Sequence, residues 1–215
     1  MNISGTYITA EEFKKNYKAL DDIEQTSLLA HIIINNTPYI FKEIPLLYEQ
    51  IKQYLSDRLQ IQNESIKIIG SAKTGFSVSP LPYYGKKFSE KSDLDFTIIS
   101  ETLFEKLNKE YLIWETCYNN KQVLPQNDIE EKYWINNISL LKRTTSRGFI
   151  DTNKIPNREI CPLTMIINNS MYLIKYKLKE YHNIIISKAS VRVYKNYNLF
   201  LKQLKLNTDQ IVSIQ

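Results

Sequence analysis

A short apolar strand that breaks at Gly-Ser, followed by a second strand with aspartates at alternate positions, leaves a chain few ways to fold. Residues 66–100 have this form: IKIIGSAKTGFSVSPLPYYGKKFSEKSDLDFTIIS. Ile66, Ile68 and Ile69 make the first strand, Gly70 and Ser71 end it, and residues 93–99 make the second. Residues i and i+2 of a strand share a face, with Cα atoms ~6.7 Å apart, so Asp93 and Asp95 project together while Leu94 and Phe96 face the other way. Two carboxylates side by side repel each other unless a cation lies between them. Oxygen-only ligands favour a hard ion such as Mg²⁺ (or Mn²⁺), which accepts one or two protein carboxylates plus phosphates and water. Gly70 lets the backbone approach a phosphate, and Ser71 adds a hydroxyl and an N–H aimed at the same anion. Together these residues describe a place to hold a metal-bound nucleoside triphosphate.

The rest of the chain is scaffold for that stretch. At 215 residues with 43% apolar content it has the size of one domain with a substantial core. No apolar run reaches the ~18 residues needed to cross a bilayer, and the start of the chain lacks a basic-then-apolar leader, so a cytoplasmic protein without a membrane partner is expected. Cys117 and Cys161 are isolated, without metal-ligand spacing, and are expected to be buried or indifferent thiols. The net charge of +5 tolerates a polyanionic partner without demanding one.

Apolar spacing predicts a helix over 11–34 with Thr9 as its N-cap, then a stronger one over 39–59 in which Pro45 marks either a kink or the true start. Both carry no paired acids and are expected to pack behind the sheet. Further helices are predicted over 102–119, over 128–142 with Asn127 or Asp128 as cap, over 162–179 and over 196–206, with a loose tail beyond. Residues 183–194 alternate as a last strand.

At Ile69-Gly70-Ser71 and Ser92-Asp93-Leu94-Asp95-Phe96 the chain resembles the DNA polymerase β-like nucleotidyltransferase superfamily, whose signature is an apolar strand, Gly-Ser, a spacer and Asp-x-Asp on the next strand. The resemblance covers about 35 of the 215 residues. It extends through Gly75 and Phe76, because small stand-alone bacterial members carry a similar Gly-Ser-Ala-Lys-Thr-Gly-Phe run. The chain departs from the pattern in its spacer: 21 residues separate Ser71 from Asp93, roughly twice the usual number. The excess, 78–89, has the prolines, glycine and lysines of a loop. A Walker-type phosphate loop is the rival for Gly70 to Gly75, and it fails because Phe76-Ser77 stand where Lys and Ser or Thr are required.

The resemblance implies an α+β fold: a short mixed nucleotidyltransferase sheet packed with N-terminal and C-terminal helices. Residues 1–60 would form a helical segment packed on a core of 61–215, in one compact domain. It also implies a Mg²⁺-dependent transfer of a nucleoside monophosphate from a triphosphate to a hydroxyl on RNA, protein or a small molecule. Toxin and phage-defence enzymes are among such proteins. Asp93 and Asp95 would bind the metal and act catalytically; Gly70, Ser71 and Lys73 would hold the triphosphate, with Lys86 and Lys87 as further cations. Lys73 is equally well an ordinary loop lysine.

Superfamily members usually carry a third carboxylate on a further strand. Asp151, after Phe149-Ile150, is the best-placed acid, although an aspartate there also suits the start of a turn. The last predicted strand contains no acid. That absence supports a second reading, a degenerate member acting as a binding or regulatory partner. From Lys175 onward bases outnumber acids, and the strip offers either a phosphate or RNA contact surface or a solvated face. A third reading follows, a basic nucleic-acid-binding module.

Overall fold

The computed structural model of the protein describes residues 7–213. The chain runs α1 (Ala10–Lys18), α2 (Asp22–Ala30), a π turn (His31–Asn35), a 3₁₀ turn (Tyr39–Phe41), α3 (Pro45–Leu59), β1 (Ile66–Ile69) and the single turn α4 (Ser71–Thr74). It continues through β2 (Leu94–Ile99), α5 (Glu101–Asn119), α6 (Asp128–Ser146), β3 (Phe149–Asp151), α7 (Pro162–His182), β4 (Ala189–Tyr194) and α8 (Tyr197–Ser213). This is an α+β chain around one four-stranded mixed sheet.

Local chemistry sets most of the boundaries. The helix expected over 11–34 is two helices, because the sequence contains two N-terminal caps. Thr9 and Glu12 form a reciprocal capping box, and Asp21 and Glu24 form another. The Asp21 carboxylate accepts from the N–H groups of Ile23 and Glu24 at 2.9 Å, so starting a fresh helix competes with continuing the old one. Pro45 is the first residue of α3, where its missing N–H is not needed. The strand expected over 183–194 starts only at Ala189: Asn183 closes α7 in the left-handed conformation (φ 52°), and the Ile184 N–H returns to the Leu178 carbonyl. The closing helix outlasts its expected end and runs to Ser213; residues 214–215 of the expected loose tail lie outside the described residues.

The strands stand in the order β1-β2-β4-β3, with β2 and β4 parallel and the other two pairs antiparallel. The register aligns Ile69, Asp95 and Ser190 in one row and Lys67, Thr97, Arg192 and Asp151 in the next row on the same face. We call this the front. Ile66, Ile68, Leu94, Phe96, Ile98, Val191, Val193 and Ile150 occupy the alternate positions and are buried in the back core with α3, α5, α6 and α7. Further along the front, Phe149 and Tyr194 join Phe13, Tyr17, Leu28, Leu29, Phe200 and Leu204 of α1, α2 and α8 in a second core.

The N-terminal segment therefore divides between the two faces. The helix α3 packs behind the sheet as expected, but α1 and α2 lie over the front, the face that carries Asp95. The inserted loop 78–89 is docked rather than free. Phe76 bridges Lys87, the Ser77 N–H donates to the Lys86 carbonyl at 2.8 Å, and the Tyr84 hydroxyl donates to the Ala10 carbonyl at 2.6 Å.

One buried contact joins two long helices. The helix α7 begins at Cys161-Pro162 without a side-chain cap of its own, and Glu110 of α5 supplies one. Its carboxylate accepts from the N–H of Leu163 at 2.5 Å, the N–H of Thr164 at 3.0 Å and the Thr164 hydroxyl at 2.9 Å. Glu110→Ala strands all three donors in a site closed to water and is expected to lower stability by about 2 kcal/mol in urea denaturation, with Glu110→Gln losing less.

Candidate functional site

The chain turns from β1 into α4 at Gly70, which has φ +68° and ψ −158°. This conformation is open to glycine and strained for other residues. A Cβ at Gly70 would lie 3.7 Å from Asp95 Oδ2, so the Gly70-Ser71 corner and the Asp95 carboxylate adjoin. Asp93 stands just ahead of β2, one residue outside the strand expected over 93–99. The pairing nevertheless continues past the strand end: the Leu94 N–H donates to the Lys188 carbonyl at 2.8 Å, and the Ser187 N–H donates to the Ser92 carbonyl at 2.9 Å. Alternation then places Asp93 on the side of Asp95. Gly70, Ser71, Asp93 and Asp95 thus meet at one end of the sheet's front face.

The parallel partner β4 supplies the surroundings. Extending its register sets Lys188 beside Asp93 and Ser190 beside Asp95. Lys188 Nζ is 3.7 Å from Asp93 Oδ2, and the Ser190 hydroxyl donates to Asp95 Oδ1 at 2.6 Å. Burial raises the Asp95 carboxyl above its usual range. The Ser190 hydrogen bond opposes the rise, the neighbouring Asp93 adds to it, and Lys188 and Arg192 oppose it. An extra cation at this carboxylate would relieve the desolvation and the repulsion together.

Two of the expected site residues lie elsewhere. Lys73 is 3% exposed, and its ammonium donates to the Asn36 carbonyl instead of reaching toward a triphosphate. Burial pushes its pKa down to about 8, and the cations Lys67 and Lys52 add to the effect. Asp151 shares the front face but sits on β3, with β4 between it and β2, so its Cα is about 12 Å from that of Asp95 at normal strand spacings. It is bound by Arg192 in two places, Nε to Oδ1 at 2.6 Å and Nη2 to Oδ2 at 3.1 Å. A 3₁₀ turn, Thr152–Lys154, follows it directly, so Asp151 ends a strand and opens a turn. Lys86 lies over the Tyr83 ring, 4.6 Å from its centroid.

The basic C-terminal strip is not one surface. Its members are spread over α7, β4 and α8, and several are engaged internally: Lys195 with Glu105, Lys205 with Asp22 and Asp209, and Arg192 with Asp151. Cys161 is buried, which pushes its thiol up to about 12, and Cys117 is partly exposed. Sequence reasoning missed Lys188, Ser190 and Arg192 as partners of the acids. Their alternation was visible, but only the parallel register matches them to Asp93, Asp95 and Thr97. Comparison of the chain with family models, curated proteins and solved structures finds no match.

Two outcomes follow. The ordinary pKa of Lys73, 10.5, falls to about 8 in the folded state, so between these values the unfolded chain binds more protons. Stability therefore rises from about pH 8 to about pH 10, and Lys73→Met should flatten that rise in denaturation curves. Asp95 is shifted upward, so its charge opposes folding without a metal, and Asp95→Asn should raise the Tm of the metal-free protein.

Proposed function

We propose that the chain is a Mg²⁺-dependent (or Mn²⁺-dependent) nucleotidyltransferase, moving a nucleoside monophosphate from a triphosphate to a hydroxyl acceptor, with release of pyrophosphate and the hydroxyl proton. The observation that carries this is the contact of the Gly70-Ser71 corner with the Asp95 carboxylate, with Asp93 on the same side. The fold proposed with it is the nucleotidyltransferase sheet, in which β1 and β2 carry the two halves of the signature.

The donor set suits the metal: two carboxylates and a serine hydroxyl are hard oxygen groups, and Mg²⁺ keeps several waters of its own. Asp93 and Asp95 would hold it, and when bound it neutralises phosphate charge and polarises the attacked phosphorus. The chain's own work is positioning. Gly70 lets the backbone approach the phosphates, Ser71 orients them, and Ser190 fixes the rotamer of Asp95 through its 2.6 Å hydrogen bond. Lys73 acts through the loop beneath the site, tying α4 to Asn36. Asp151 is held by Arg192 and is the weakest member of the expected catalytic set. The acceptor is RNA, protein or a small molecule.

A second reading rests on a specific observation. Lys188 already stands 3.7 Å from Asp93, and β4 presents Ser190 rather than an acid beside Asp95. A degenerate member that binds without turnover would look like this.

Calorimetry with ATP, GTP, CTP and UTP in Mg²⁺ separates the two when paired with turnover of α-labelled triphosphate. The enzyme binds at least one triphosphate and transfers its label. Asp93→Asn with Asp95→Asn lowers transfer by at least about a hundredfold. Metal-dependent binding weakens as the pH falls and Asp95 takes up its proton. No triphosphate binding by the folded wild type defeats the enzyme reading.

A further inference from the structure

Beside the acid pair, the front of the sheet opens into a cavity of about 340 Å³, lined among others by Arg143, Thr144 and Arg147 of α6 and its C-terminal end, Lys154, Arg192 of β4 and Gln203 of α8. Asp151 is the one acid in its wall, and both of its oxygens are taken by Arg192. Among the described residues, no carboxylate forms an ion pair with Arg143, Arg147 or Lys154. Three uncompensated cations therefore meet in a single concavity.

Two of the guanidinium groups are also held in place. The Arg147 Nη2 donates to Gln203 Oε1 at 2.5 Å, and the Phe149 ring carries both Arg147, at 5.6 Å, and Arg192, at 4.9 Å from its centroid. Planar guanidinium groups fixed by amide, carboxylate and aromatic contacts lose little freedom when they bind, and their fork matches the oxygens of a phosphate. A solvated basic face has none of these restraints.

Lys154 is also part of the wall of a neighbouring cavity of about 410 Å³, lined by Tyr133 and the side chains of Asn137, Asn153, Asn157 and Asn168. Amides donate to and accept from base edges, and an exposed tyrosine ring gives a stacking surface. A guanidinium pocket beside an amide-and-aromatic pocket has the chemistry of a phosphate followed by a base. On the other side, Arg192 is one strand and one row from Asp95, about 8 Å between Cα atoms, and near enough to lower the Asp95 carboxyl.

From this placement we propose that the cavity of Arg143, Arg147 and Lys154 is the binding site for a backbone phosphate of a single-stranded nucleic acid, the acceptor of the transfer. This deepens the function proposed above and rests on it for the word acceptor; the binding itself does not.

The test is fluorescence-anisotropy titration of a short labelled single-stranded RNA at several salt concentrations, with wild type, Arg143→Ala with Lys154→Ala, and Arg143→Glu. The expected result is at least about tenfold weaker binding in each variant. The slope of log affinity against log salt should fall by about 1.4 in the double variant, at ~0.7 per lost phosphate contact. Calorimetry with Mg²⁺ and a triphosphate on the same variants should be unchanged, as should their melting curves. These two sites protrude from a helix face and a turn, so folding is not at stake; if a variant melts early, Arg143→Lys, which keeps the charge and loses the fork, should still bind less well than wild type.

Wild-type affinity for the RNA that is unchanged in both variants overturns the proposal, as does competition by a free nucleoside monophosphate at the same concentration as the oligonucleotide. Loss of RNA binding with triphosphate binding intact supports the site. RNA binding kept while triphosphate binding fails in the wild type defeats the transferase reading and leaves the phosphate site standing.

Discussion

Everything at the front of the sheet depends on how β2 is held. It is hydrogen-bonded to β1 on one side and β4 on the other, and Leu94, Phe96 and Ile98 are all 0% exposed in the back core. A slip of one residue would drive Asp95 and Thr97 into that core and bring three large apolar side chains to the front. The packing behind the sheet thus fixes where the acids point, and the same alternation in β4 sets Ser190 and Arg192 opposite them. The charged site is placed by hydrophobic contacts that it does not itself touch.

The charges and hydrogen-bonding groups of the front rows are compensated unequally. Arg192 and Asp151 satisfy one another, and although burial works against the guanidinium charge, the carboxylate holds it firmly. Asp93 has a lysine nearby and Asp95 has a serine, yet burial still leaves the Asp95 carboxyl shifted upward. The buried Thr97 hydroxyl, in the same row as Arg192, has no hydrogen-bond partner. A fold tolerates such costs when two cores supply the stability, and unrelieved charge is where chemistry is usually found.

Much of this could be read from the residues alone. The Gly70-Ser71 break, the shared side of Asp93 and Asp95, the Thr9 and Asn127 caps, the extent of α5 and the starts of α3 and α6 follow from short-range rules of alternation, capping and periodicity. The break between α1 and α2 was also written in the chain, in the capping pair Asp21 and Glu24, but the apolar spacing across it masked the signal. The division of the N-terminal helices between two faces was not legible, because amphipathic stripes say that a face is buried and not against what.

The sequence by itself determined the local elements and the pairing of two acids on one side of the chain, since these depend on neighbours within a few residues. The tertiary structure decided the rest. It matched Lys188, Ser190 and Arg192 to the acids through a parallel register, turned Lys73 inward to the Asn36 carbonyl, gave Asp151 to Arg192, and gathered Arg143, Arg147 and Lys154 into one cavity with β4 and α8. Each of these joins parts of the chain that lie tens of positions apart, and such contacts are chosen by the packing of whole layers, to which no short stretch of sequence has access.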